Sequence, residues 1–168
     1  CAQSCRMPYD LIVDGEERPL GDIKYLLSPR DLAGVRAVES LMQIGVECLK
    51  IEGRYKGPAY VKQSVETYQG WIRSIATGQA QVTEVKEQLA KDLTGLSLTY
   101  SRGFSDGFLG GSDHQSLVEG RFPKHRGVFL GYVVEVNQEW IRVSTQGDGR
   151  KYNQSAQGRR SDPLPLYT

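Results

Sequence analysis

The spacing of apolar residues changes character several times along the chain, and each spacing predicts its own element. Leu11-Ile12-Val13 and Tyr25-Leu26-Leu27 are short apolar runs around the turn Asp14-Gly15-Glu16 and predict two short strands. Ser28-Pro29-Arg30-Asp31 predicts a helix start, with Ser28 as N-cap, Pro29 in the first position and the Asp31 carboxylate in the first turn. Val35, Val38, Leu41 and Met42 follow at helical spacing, and Gly45 ends the run. Residues 46–53, VECLKIEG, predict a strand. A second helix opens at Gly57-Pro58 and carries Val61, Val65, Tyr68, Ile72 and Ile75 on one face. A third spans Thr83 to Leu93, with Val85, Leu89 and Leu93 on one side.

Helix, strand and helix joined by short links, with no hairpin between them, are the grammar of a parallel α/β sheet or a (β/α) barrel. That grammar holds for residues 1–95. Residues 96–126 form a Gly-rich, basic connector, and residues 127–146 alternate like two antiparallel strands joined at Asn137-Gln138, the start of a small β module. Residues 147–168 form a polar, irregular tail with little to bury, a disordered or unnatural end. There is no internal repeat.

Composition narrows the class. With 168 residues the chain has room for one ordinary domain, and Lys+Arg 21 against Asp+Glu 20 leaves a net charge of +1. Binding to nucleic acid or acidic lipid must therefore use a local patch. No run approaches the roughly 18 apolar residues of a membrane span. The three cysteines, Cys1, Cys5 and Cys48, are too few for a disulfide framework, which points to a reducing, cytoplasmic compartment. An opening at Cys1 rather than Met predicts a piece of a longer protein.

Three constellations carry candidate chemistry. On a strand over residues 46–53, Cys48, Lys50 and Glu52 share one face while Leu49 and Ile51 share the other. Inside a barrel, Lys50 and Glu52 have to be paired with each other or with a ligand, and Arg54 and Lys56 place cations over the mouth, suited to an anionic ligand. A solvated edge strand with surface charges is the alternative. Cys1-x-x-x-Cys5 can converge two thiolates on a soft metal or cluster, or be two unconnected loop thiols. Cys48 reads as a small core residue. Arg121, Lys124 and Arg126, with Phe122 among them, can meet phosphate and stack a base, and a solvated loop explains them equally well. His114 and His125 are isolated, and no protease nucleophile motif is present.

The blocks CAQSCRMPY, YLLSPRDL, GVECLKIEGRYKGPAYV, YSRGFSDGFLGG and GRFPKHRGVFLG, in this order, closely resemble peptidase family U32, over roughly residues 1–145. The SRGF and HRG blocks resemble most the long bacterial members related to the enzyme that hydroxylates a cytidine of ribosomal RNA. The resemblance implies the C-terminal part of a TIM-like (β/α) barrel followed by the start of a small β domain. It implies one of two activities: collagenase-like peptide hydrolysis, or oxygen-independent RNA hydroxylation with a 4Fe-4S cluster. Under the second, Cys1 and Cys5 are cluster ligands with further cysteines upstream. Lys50, Glu52 and Arg54 match the family's KIEGR block and line the barrel mouth as candidate catalytic residues, and Arg121, Lys124 and Arg126 meet ribosomal RNA. A non-catalytic RNA-binding remnant is the third reading. By itself a partial barrel exposes raw sheet edges, predicting an inactive and poorly soluble piece. Beyond Gly149 the family pattern of alternating strands stops, which a reading-frame slip explains.

Overall fold

The computed structural model describes residues 2–79, 85–145 and 165–167. They fall into two compact units, residues 1–126 and 127–168.

The first unit has its core between two helices. Helix α1 (Val38–Gln43) is short and is entered through a 3-10 turn, Gly34–Ala37. Helix α2 (Pro58–Ala76) starts where Gly57-Pro58 predicts, with the ring of Pro58 filling a first-turn position that has no intrahelical N–H bond to lose. Helix α3 (Lys86–Thr99) packs against α2. Val35, Trp71, Leu89 and Leu96 form the buried cluster, with Tyr68, Ile75, Val85, Leu93 and Phe104 packed around it. The Trp71 indole N–H donates to Asp92 Oδ2 at 2.9 Å, so the ring is buried without orphaning its polar atom. The buried stripe of α2 is turned from the predicted one: Ser64, Thr67 and Trp71 are buried, whereas Val61 is 41% exposed.

Around this core lie two very short sheets. Strands β1 (Ile12–Val13) and β2 (Glu16–Glu17) make an antiparallel hairpin across the Asp14-Gly15 turn. Strand β3 (Asp31–Leu32) pairs in parallel with β4 (Phe104–Ser105). Pro29 bridges to Val118, and the carbonyl of Gly120 accepts from the N–H groups of both Lys24 and Tyr25. Gly120 makes this close approach possible: φ is +76°, and an added Cβ would meet Ile23 Cγ2 at 2.6 Å. Gly120→Ala is expected to cost about 1–2 kcal/mol or more, read as a lowered urea midpoint with unchanged slope.

The second unit is a three-stranded sheet in the order β6-β5-β7, with β5 spanning Phe129–Val136, β6 Ile141–Ser144 and β7 Pro165–Tyr167. Asn137 closes the predicted β5–β6 turn. Its Oδ1 accepts from the N–H groups of Glu139 and Trp140 at 2.8 and 2.9 Å, an Asx-type turn.

Several expectations are corrected. Residues 46–53 form no strand, because the described residues offer them no partner ladder and a strand does not persist without one. Tyr25-Leu26-Leu27 is a turn rather than a strand, with the Tyr25 amide spent on Gly120. The helix predicted from Ser28 begins later, at the Gly34–Ala37 turn, because Pro29, Asp31 and Leu32 are drawn into pairing with Val118, Phe104 and Ser105. Helix α3 runs past Leu93 and through Gly95, where the lack of a side chain admits Gln63 of α2. The tail is not wholly irregular, since Pro165–Tyr167 pairs with the second edge of β5 and uses backbone groups that an edge leaves open. Cys1, Thr83 and residues 146–164 lie outside the described residues. No described helix is long and apolar enough to cross a membrane. Parallel pairing among the described residues is limited to β3 and β4, with no closed barrel.

Candidate ligand cleft

A cleft of about 740 Å³ opens in the first unit, between the 3-10 turn Ser4–Arg6, the loop 49–56, the start of α2 and the loop 100–104. Six cations line it, Arg6, Arg30, Lys50, Arg54, Lys56 and Arg102, against the two carboxylates Asp31 and Glu52.

Its floor is built by one ion pair. Asp31 Oδ2 accepts from the Arg102 backbone N–H at 2.8 Å, and both carboxylate oxygens accept from Arg102 Nε at 3.1 and 3.2 Å. Arg102 Nη2 closes the fork onto Asp31 Oδ1. The two side chains are only 14% and 21% exposed, so the pair is sheltered from solvent. Ser101 beside it is buried; its hydroxyl accepts from Gly103 N–H and its own N–H donates to His125 Nδ1, both at 2.9 Å. Asp31, expected as a helix-start carboxylate, is thus a clamp on a residue far along the chain.

The wall centres on Tyr100. Lys56 Nζ sits 2.9 Å from its ring centroid, His125 stacks on the ring with centroids 5.3 Å apart, and Tyr60 meets it edge-on at 6.1 Å. A cation so close to an aromatic face is worth about 0.5–2 kcal/mol and fixes the loop that carries Lys56. Burial raises the phenol pKa values of Tyr60 and Tyr68 above the ordinary tyrosine value, so both are neutral hydrogen-bonding groups at pH 7.

The cations are unevenly committed. Arg6 donates to Ser28 Oγ at 2.7 Å and to the Pro29 carbonyl at 3.2 Å. Burial first, and then the charge of Arg102, lower its pKa, while Cys5, Asp31 and Tyr100 oppose the shift. Arg30 lies 3.6 Å from Glu119, and its buried Nε has no hydrogen-bond partner among the described residues. Lys50 and Arg54 are exposed and form no ion pair among the described residues. Such a cleft suits an anionic ligand with flat, stackable groups.

The predicted residues divide. Lys50, Glu52, Arg54 and Cys5 all line the cleft. Lys50 and Glu52 are exposed, so burial does not force them to pair, and no ion pair joins them among the described residues. Cys48 is exposed rather than a core residue, since the segment that carries it has no covering strand. Arg121, Lys124 and Arg126 do not line the cleft. Arg121 pairs with Asp22 at 3.0 Å, Arg126 grips Glu119 at 2.6 and 2.7 Å, and Lys124 is exposed. Asp31, Tyr60, Tyr100 and Arg102 were missed as site residues. The YSRGF block carried two of them, but nothing in the sequence joined it to Asp31.

A four-iron cluster takes about four thiolates. Of the cysteines described, Cys5 is at the cleft, half-buried, and Cys48 does not line it. No group of three or more His, Cys, Asp or Glu among the described residues could hold a metal ion. The described donors by themselves therefore do not fit a cluster.

The family model for peptidase family U32 matches residues 1–119. The chain belongs to family U32. Among its relatives, a collagenase of Porphyromonas gingivalis is 33% identical over 108 residues, 64% of this chain and 28% of that protein. The 23S rRNA 5-hydroxycytidine C2501 synthase of Escherichia coli is 30% identical over 158 residues, 89% of this chain and 24% of the enzyme. A tRNA hydroxylation protein P1 of Bacillus subtilis is 27% identical over 157 residues, 87% and 35% of the two chains. This U32 chain thus spans about a quarter to a third of the length of these curated relatives. No solved structure matches it significantly.

Proposed function

We infer that the protein carrying this chain hydroxylates RNA and that the cleft receives the RNA strand. The observation that carries this reading is the lining itself: an excess of cations set among tyrosine rings, with Lys50 and Arg54 exposed at the mouth. Phosphates and bases need that combination, whereas a peptide backbone does not call for six cations. Relatives named for rRNA and tRNA hydroxylation support the same reading.

In this account residues 1–95 are the C-terminal part of a (β/α) barrel, residues 96–126 a connector and residues 127–146 the start of a small β domain. Cys1 and Cys5 would supply two thiolates to a 4Fe-4S cluster, whose remaining ligands the described residues do not provide. When bound, the cluster would supply redox chemistry. The residues of the cleft bind and orient: Arg102, forked onto Asp31, shapes the floor, Arg6 holds an anionic group, Lys50 and Arg54 meet phosphates, and Glu52 lies between those two in the chain. Arg126 is gripped by Glu119 and lies off the cleft.

A peptidase is the competing reading, favoured by the collagenase relative. Cys5 and Ser64 line the cleft, but among the described residues no histidine does, so the nucleophile–imidazole pairing is not built there.

Mass spectrometry of RNA from cells with and without the gene, beside a gelatin-cleavage assay of the full-length protein purified without air, tests the reading. A pyrimidine that gains one oxygen atom only when the gene is present supports it; gelatin cleavage with unchanged RNA overturns it. Lys50→Ala and Arg54→Ala are each expected to weaken single-stranded RNA binding and to lower the slope of log affinity against log salt by about 0.7. Titrations at several salt concentrations read that slope.

A further inference from the structure

Most aromatic rings lining the cleft have a structural task. Tyr100 carries Lys56 and stacks on His125, Tyr60 meets Tyr100 edge-on, and Tyr68 and Phe104 pack on the core. Tyr55 has none of these. It is 64% exposed at the cleft mouth, meets no aromatic ring among the described residues, and carries the Arg54 guanidinium 5.0 Å from its centroid.

Its backbone makes this placement more pointed. Tyr55 sits at φ +65°, in the left-handed region that bulky side chains rarely adopt. Gly53 and Gly57 stand two residues away on either side, so the sequence has the permissive residue at hand, yet a large ring occupies the strained position. An exposed aromatic held in an unfavourable conformation, whose ring meets Arg54 and no other ring among the described residues, is an arrangement expected of a ligand contact.

We propose that Tyr55 is the platform on which an unpaired nucleobase of the RNA stacks at the mouth of the cleft, with Arg54 beside it meeting the neighbouring phosphate. This rests on the RNA reading of the cleft and adds to it the way an unpaired strand is chosen over a duplex. A ring face accepts any base once it is unstacked, while bases within a helix are unavailable to it. Tyr55 is then a binding residue that selects single-stranded RNA and tolerates its sequence, whereas Lys50 answers to charge alone.

The test is fluorescence anisotropy of a labelled single-stranded RNA dodecamer, and of the same strand in a duplex, on the full-length protein and its Tyr55→Ala, Tyr55→Gly and Tyr55→Phe variants. Tyr55→Ala and Tyr55→Gly are expected to bind the single strand roughly 5- to 150-fold more weakly, with Tyr55→Phe within about twofold of the parent and duplex binding unmoved. Glycine relieves the backbone without restoring the ring, so recovery in Tyr55→Gly alone would assign the effect to strain and overturn the proposal. Single-strand affinity unchanged in Tyr55→Ala, or an equal loss for single strand and duplex, overturns it too. If the parent protein binds neither RNA, the RNA reading of the cleft fails first, and the stacking proposal with it.

Discussion

Trp71→Ala is expected to lower the stability of the protein by about 3–5 kcal/mol, the range for removing a buried tryptophan from a packed core. Trp71 is 4% exposed, sits with Val35, Leu89 and Leu96, and is the largest side chain of that cluster. The deletion opens a cavity between α2 and α3, whose close approach at Gly95 and Gln63 limits how far the helices can move together to fill it. It also leaves Asp92 Oδ2 without its indole donor, while Asp92 Oδ1 keeps the bond from Gln88 Nε2 at 2.9 Å. Trp71→Phe keeps most of the ring volume and loses the hydrogen bond and the second ring, so its expected cost is smaller, about 1–3 kcal/mol. Urea denaturation of the full-length protein, followed by circular dichroism, measures both. A loss below about 1 kcal/mol for Trp71→Ala would mean that α2 and α3 are not held by this cluster.

The second large effect belongs to Asp31→Asn. The substitution keeps the shape of the side chain and an acceptor for the Arg102 backbone N–H, but it removes the charge that the guanidinium faces. A guanidinium only 14% exposed then lacks its counter-ion beside Arg6, which is already crowded by like charge. Breaking one side of a buried pair costs roughly 3–5 kcal/mol; partial exposure here reduces that to about 2–4 kcal/mol. Because the pair also joins β3 to β4 and forms the cleft floor, RNA affinity is expected to fall with stability. Arg102→Gln in the same chain removes the orphaned charge and is expected to restore part of the lost stability but none of the affinity. A double-mutant cycle on urea midpoints checks the coupling; strict additivity would show that the two groups do not act as a pair.

How far the sequence could be read followed from how local each signal was. The start of α2 at Gly57-Pro58 and the β5–β6 hairpin at Asn137 are written in adjacent residues, and both are where the pattern puts them. The segment from Ser28 to Asp31 carries equally good helix-start residues, yet tertiary partners outbid the local preference. Pro29 pairs with Val118, and Asp31 with a residue 71 positions on. Residues 46–53 have strand composition, but composition supplies no ladder partner. The site shows the same division. The KIEGR block and Cys5 were legible because their chemistry is concentrated in a few consecutive residues, and the structure puts Lys50, Glu52, Arg54 and Cys5 around one cleft. The Asp31–Arg102 fork and the Tyr100 wall were not, since each exists only after the chain has returned on itself. The basic run 121–126 was legible as charge but not as a site, because charge alone does not tell a phosphate ligand from a cation already held by Asp22 or Glu119.

The most direct measurement of the central claim is photo-crosslinking of single-stranded RNA to the full-length protein, with the crosslinked residues read by mass spectrometry. The account predicts adducts concentrated on the cleft segments 49–60 and 100–104, Tyr55 among them, and their loss on competition with unlabelled RNA. Adducts confined to the 121–126 loop or to the second unit, with the cleft segments unmodified, would contradict it.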